Sequence, residues 1–204
     1  SGDELIAHCT RVSERIPLVG FYLQPSVGGR PLSHAFWRRF AGIPGVVAIK
    51  IAPFNRYQTI DVVRAVAEAG RDDIALYTGN DDHILLDLLT EWVVPTLRGD
   101  QRVRIAGGLL GQWACWTRAA VELLEQCKKL RGSRIIPAEL VTLAEQLTDA
   151  NGAVFDAAHG FAGCIAGIHE VLRRQGLLTN ALFLDPHERL SPGQAKEITR
   201  VCAA

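Results

Sequence analysis

Gly45-Val46-Val47-Ala48-Ile49-Lys50-Ile51-Ala52, opened by Pro44 and closed by Pro53, is a short apolar run rich in β-branched residues. Such a run predicts a buried strand of a parallel sheet, where both faces are covered and alternation disappears. It carries one ammonium group, Lys50. A lysine buried in an apolar strand needs a partner or a lowered pKa. With a lowered pKa it holds a free amine near neutral pH, the species that attacks carbonyls and forms Schiff bases. The same spacing also suits a strand-end lysine whose head reaches solvent.

Outward from this strand the chain alternates. A helical stripe over residues 3–14 (Leu5, Ile6, Cys9, Val12) stops before Pro17, and residues 18–23 predict the first strand. The loop Pro25-Ser26-Val27-Gly28-Gly29 leads to Ser33, an N-cap for a helix through Phe40. After the Lys50 strand, residues 57–69 predict a helix, residues 74–78 a third strand, and residues 81–92 a helix. Residues 103–107 predict the fourth strand, and residues 112–130 a long helix holding Trp113 and Trp116. Strand and helix thus alternate four times, which means parallel strands with right-handed crossovers. Helices are then expected over residues 137–148, 155–174 and 191–203. The reading is a β/α portion, residues 1–132, followed by a helical region, residues 133–204. The pattern alone fits either an open sheet or half a barrel; the barrel half would leave two long unpaired edges.

The 204 residues are 48% hydrophobic with 22 basic and 22 acidic side chains, an ordinary globular composition. The balanced charge, with no basic stripe interleaved with aromatics, argues against nucleic-acid binding. No apolar run reaches the length of a membrane span. Met is absent, so Ser1 is not a natural initiator, and the opening Ser1-Gly2-Asp3-Glu4 lacks the features of a signal peptide. Cys9, Cys115, Cys127, Cys164 and Cys202 form an odd set without CxxC spacing, which reads as structural thiols rather than a disulfide frame or metal site. A cytoplasmic protein without a metal or other cofactor is the expectation.

In β/α proteins the chemistry collects at the carboxyl ends of the strands. Those ends carry Tyr22, Gln24 and Pro25; Lys50; Tyr77-Thr78-Gly79-Asn80-Asp81; and Ala106-Gly107-Gly108. A lysine amine and a tyrosine hydroxyl on adjacent strand ends form a nucleophile beside a proton carrier. Glycines nearby let backbone N–H groups approach a carboxylate. Gly107-Gly108 lacks the spacing of a phosphate loop. His83 and the Asp81-Asp82 pair fall at a helix start, where a capping role competes with a catalytic one.

Tyr22-Leu23-Gln24-Pro25 followed by Val46-Val47-Ala48-Ile49-Lys50-Ile51-Ala52 resembles the dihydrodipicolinate synthase and N-acetylneuraminate lyase family, with its Tyr-x-x-Pro strand end and Ile-Lys strand. Tyr77-Thr78-Gly79-Asn80-Asp81 resembles the family's Ser-Gly-Asp-Asp turn, with Asn80 in place of the first acid, and Ala106-Gly107-Gly108-Leu109 the end of its last strand. The resemblance covers nearly the whole chain but only the second half of a family (β/α)8 barrel, strands five to eight, plus its helical extension. It implies a class I lyase or aldolase in which Lys50 condenses with pyruvate or another 2-keto acid and Tyr22 relays protons. Gly79, Asn80, Ala106 and Gly107 would shape the substrate's carboxylate end, and an aldehyde would be the other substrate. It also implies a homo-oligomer, or pairing with the missing half. The family's Gly-Thr/Ser-Thr/Ser-Gly-Glu segment has no counterpart here. Val27 stands where dihydrodipicolinate synthases carry an arginine, and Ile51 where a polar residue often follows the lysine. The alternative is a truncated or degenerate relative serving as a binding or assembly module.

Overall fold

A computed structural model describes residues 1–202. The elements run α1 (Gly2–Ser13), β1 (Leu18–Leu23), α2 (His34–Ala41), β2 (Val46–Ala52), α3 (Arg56–Ala69), β3 (Ala75–Thr78), α4 (Ile84–Leu89), β4 (Glu91–Thr96), β5 (Gly99–Gly108), α5 (Gln112–Cys115), α6 (Thr117–Lys129), α7 (Ala138–Val154), α8 (Cys164–Arg174) and α9 (Gln194–Cys202). They form two compact units, residues 1–80 with 87–109, and residues 81–86 with 110 onward. The helical unit therefore takes in α5 and α6, which the sequence pattern groups with the strands.

In the first unit β1, β2, β3 and β5 are parallel and adjacent in chain order. A doubly wound sheet reverses its strand order and binds ligands at the reversal. Here the order never reverses, which is the winding of a barrel wall. The pleat puts Gly20, Tyr22, Ile49, Ile51, Leu76, Thr78 and Ile105 on one face by register. That face is closed by helices: the Trp37 ring of α2 lies tilted at 45° with its centre 5.0 Å from that of Tyr22, and a Cβ on Gly20 would sit 2.7 Å from Phe40. Ile49, Ile51, Leu76, Val62 and Val63 are fully buried there. The opposite face carries Val19, Phe21, Lys50 and Tyr77, of which Val19 is 60% and Phe21 49% exposed.

Arg71 ties the lower end of this sheet. It donates to the carbonyls of Ala41 (2.8 Å), Ile43 (3.0 Å) and Val46 (2.9 Å) while its other N–H groups grip Asp73 at 2.7 Å. A planar five-donor fork can do this; a lysine cannot.

The helix expected over residues 81–92 is a misreading. α4 spans only Ile84–Leu89, and Glu91–Thr96 is a strand paired antiparallel with β5. Val93, Val94 and Thr96 favour extended backbone, and Pro95 suits an edge strand. The hairpin turns at Leu97-Arg98 with Gly99 at φ 90°, and Thr96 Oγ1 accepts from Arg98 N and donates to Gly99 O. β5 is accordingly longer than the fourth strand expected from sequence.

The helical unit packs Cys115, Val154, Phe155, Val171 and Ile198 into a core joined by Trp116, Phe161 and Leu190. The helix expected over residues 112–130 breaks at Trp116, whose ψ of 51° leaves the helical range. That over 155–174 starts only at Cys164, because Asp156 (φ 60°), Gly160 (φ 61°) and Phe161 (φ 70°) form a left-handed turn. The buried Asp156 carboxylate holds this turn, accepting from Gly163 N (2.9 Å) and Ser191 Oγ (2.5 Å) and meeting His159 Nδ1 at 2.6 Å. α9 starts at Gln194 rather than residue 191, and Ala203 of its expected span lies outside the described residues. The five cysteines are free thiols; burial pushes Cys115 up to about 12 and Cys127 and Cys164 to about 11, far from reactive thiolates. Among the described residues no helix is long and apolar enough to cross a membrane.

Candidate active site

Lys50 sits late in β2 on the sheet face away from the helices. Its register neighbours are Phe21 on β1 and Tyr77 on β3, and Tyr77 in turn pairs with Gly107 on β5. Side-by-side residues of parallel strands point the same way, so Phe21, Lys50, Tyr77 and Gly107 form one row across four strands. The ammonium lies 4.3 Å from the centre of the Phe21 ring, within cation–π range. The lysine stem runs over Gly79, where a Cβ would come within 2.7 Å of Lys50 Cε and of Ala52 Cβ. Only glycine leaves that path open. Gly79 N also donates to Ile51 O at 2.7 Å, which fixes the β3 end against β2.

Tyr22, the expected proton relay, occupies the other face. Its register partner is Ile51, it is 1% exposed, and its hydroxyl donates to Leu32 O (3.1 Å) while accepting from Leu32 N (3.0 Å). Burial pushes the phenol's pKa up. The structure does not bring the Tyr22 hydroxyl to the face of Lys50. It uses it to clasp the loop after β1.

Asn80 likewise serves the scaffold. It is buried, donates to Thr59 Oγ1 and Asp87 Oδ2 (both 3.1 Å), and accepts from Phe54 N at 3.1 Å. Asp87, with no exposed surface, also receives Arg56 Nη1 and Thr78 Oγ1, each at 2.6 Å. This network is the reason Phe54 can hold φ 52°, a conformation costly for a bulky residue, at the turn from β2 into α3. With these bonds made, the Asn80 amide is committed to holding the strand ends that present Lys50. Ala106 is the extra residue at a β5 irregularity between Ile105 and Gly107 and is exposed. Gly107, itself buried, closes the Lys50 row as the register partner of Tyr77 and adds no side chain to it.

Of the residues singled out from sequence, Lys50 and Gly79 come together and Gly107 shares their face beyond Tyr77, while Tyr22, Asn80 and the bulged Ala106 do not join them. Tyr77 is the residue the motif reading passed over. Its signal was the alternation Ala75-Leu76-Tyr77-Thr78, but period two says only that Tyr77 opposes Leu76, not which strand neighbour it meets.

No family model and no curated protein matches the sequence. Solved structures do. The whole chain aligns with dihydrodipicolinate synthase from Bacteroides thetaiotaomicron (TM-score 0.73, 15% identity), covering 61% of that chain. It aligns likewise with dihydrodipicolinate synthase from Thermotoga maritima (0.69, 20%, 61% covered). A 2-keto-3-deoxygluconate aldolase variant from Sulfolobus solfataricus gives 0.65 at 14% identity, with 59% covered. The chain thus spans about three-fifths of the length of these proteins. The likeness drawn from Tyr22-Leu23-Gln24-Pro25 and the Lys50 strand is met in the fold: this is the architecture of part of a dihydrodipicolinate synthase barrel.

Proposed function

We propose that this chain carries the Schiff-base portion of a class I lyase or aldolase acting on pyruvate or a related 2-keto acid, making or breaking a C–C bond to an aldehyde. The observation that carries the reading is the placement of Lys50. It stands on an open sheet face, flanked by an aromatic ring and a phenol, with its stem threaded over Gly79. The unprotonated amine of a lysine placed there is the nucleophile that Schiff-base chemistry needs. Its iminium is an electron sink, which lets the adjacent carbon lose or gain a bond as an enamine.

A second reading has its own support. Val19 and Phe21 expose apolar surface on the same face, which suits a chain that assembles with further strands, from a second copy or from the remainder of a barrel. In that reading the chain is a degenerate relative serving in assembly. Borohydride trapping with pyruvate and a panel of 2-keto acids, read by intact mass and peptide mapping, separates the two. The catalytic reading expects a reduced adduct on Lys50, lost in Lys50→Ala. Absence of any adduct, from this chain and from it mixed with a partner half-barrel, leaves the assembly reading standing.

A further inference from the structure

We infer that Tyr77, and not Tyr22, is the proton-carrying residue beside Lys50; this rests on the reading of Lys50 as the Schiff-base lysine. The two tyrosines differ in face. Tyr77 is the register partner of Lys50, one strand spacing (about 4.8 Å) away on the same side of the sheet. Tyr22 pairs with Ile51, on the side packed by Trp37. Its hydroxyl is engaged twice by the Leu32 backbone, so a proton transfer would cost it the clasp of the β1 loop. Within the row of Phe21, Lys50, Tyr77 and Gly107, Tyr77 holds the only hydroxyl. Two glycines frame it, Gly107 across the strand and Gly79 two residues on, so neither position adds a side chain of its own beside the two groups.

The chemistry assigned to Tyr77 is as follows. The Lys50 nitrogen lone pair forms the C–N bond to the ketone carbon, and the carbonyl π pair moves onto oxygen. The Tyr77 O–H protonates that oxygen, and the phenolate takes the proton released from nitrogen. A second proton, drawn from solvent through the same phenol, lets the oxygen leave as water while the nitrogen lone pair closes the C=N bond. In sum, amine, ketone and one proton give a protonated imine and water. General acid–base catalysis of this kind is worth about a hundredfold or more.

The test is the rate of borohydride-trapped adduct formation with pyruvate, followed by intact mass across pH, for the wild-type chain, Tyr77→Phe, Tyr77→His and Tyr22→Phe. Tyr77→Phe is expected to slow adduct formation about a hundredfold and to flatten its pH profile, while the adduct still maps to Lys50 at long times. Tyr77→His, which returns a proton carrier, is expected to recover part of the rate with a displaced profile. Tyr22→Phe is expected to lower the unfolding midpoint and leave the trapping rate within about threefold. A rate that falls in Tyr22→Phe and holds in Tyr77→Phe overturns the inference and leaves the Lys50 chemistry intact. A wild-type chain that traps no keto acid, alone or mixed with a partner half-barrel, overturns both.

Discussion

At the residue scale, the position of one amine depends on the absence of one methyl. Lys50 Cε and Ala52 Cβ each approach the place of a Gly79 Cβ within 2.7 Å, and neither can yield without moving the strand or the lysine. Gly79→Ala is therefore expected to fold with a loss of about 1–3 kcal/mol, as overpacking does. It should also displace the amine and slow Lys50 adduct formation. Urea denaturation and the trapping rate measure the two effects separately, and an unchanged trapping rate would show that the lysine path does not depend on this glycine. The same scale separates the two tyrosines. One residue of pleat is the difference between a tyrosine on the face of Lys50, Tyr77, and one on the opposite face, Tyr22.

At the element scale, the carboxyl ends of β2 and β3 are joined by polar bonds rather than apolar packing alone. Asp87, delivered by α4, gathers Arg56 at the start of α3, Thr78 at the end of β3, and Asn80. Removing the acid strands Thr78 and Asn80 donors in a dry site and leaves a guanidinium without its carboxylate. Losing one partner of a buried ion pair costs about 3–5 kcal/mol, and Arg56 is partly exposed, so Asp87→Ala should lie near the lower end of that range. Urea unfolding checks this. A change under about 1 kcal/mol would mean the network is a surface arrangement of little consequence. The β4–β5 hairpin belongs to this scale as well. Glu91 on β4 pairs with both Arg102 and Arg104 across the hairpin on β5, contacts that add sign-specific pairing to the backbone ladder.

At the scale of the whole molecule, acid sensitivity has an identifiable source in the helical unit. Hydrogen bonds from Arg173, and next from Arg174, hold the Glu170 carboxyl down to about 2 against its usual 4.5. A carboxyl whose pKa is lower folded than unfolded stabilises the folded state above the unfolded value. That contribution is complete above about pH 4.5 and is lost as pH falls toward about 2. Glu170→Gln is expected to lower stability at neutral pH and to flatten the decline of the urea midpoint across that window. A decline as steep as wild type would assign the acid sensitivity elsewhere. The parallel wall of the other unit, with one face under α2 and α3 and the other carrying exposed Val19 and Phe21, sets the question of assembly that Lys50 trapping in mixed halves addresses.

What the sequence determined by itself was local. Four β/α alternations, the positions of β1, β2 and β3, the Lys50 strand, and glycine at 79 and 107 were readable because propensity, periodicity and turn residues act over a few neighbours. The β4 hairpin was not, because Glu91-Trp92-Val93-Val94 follows a helical stripe and becomes a strand only through its partner on β5. Nor was the turn at Asp156, whose left-handed backbone is held by Ser191, a residue 35 positions away. Most of all, tertiary structure decided which tyrosine faces the lysine. Alternation assigns each residue to one of two faces within its own strand. Register between strands, set by packing on α2 and α3, decides which face is shared.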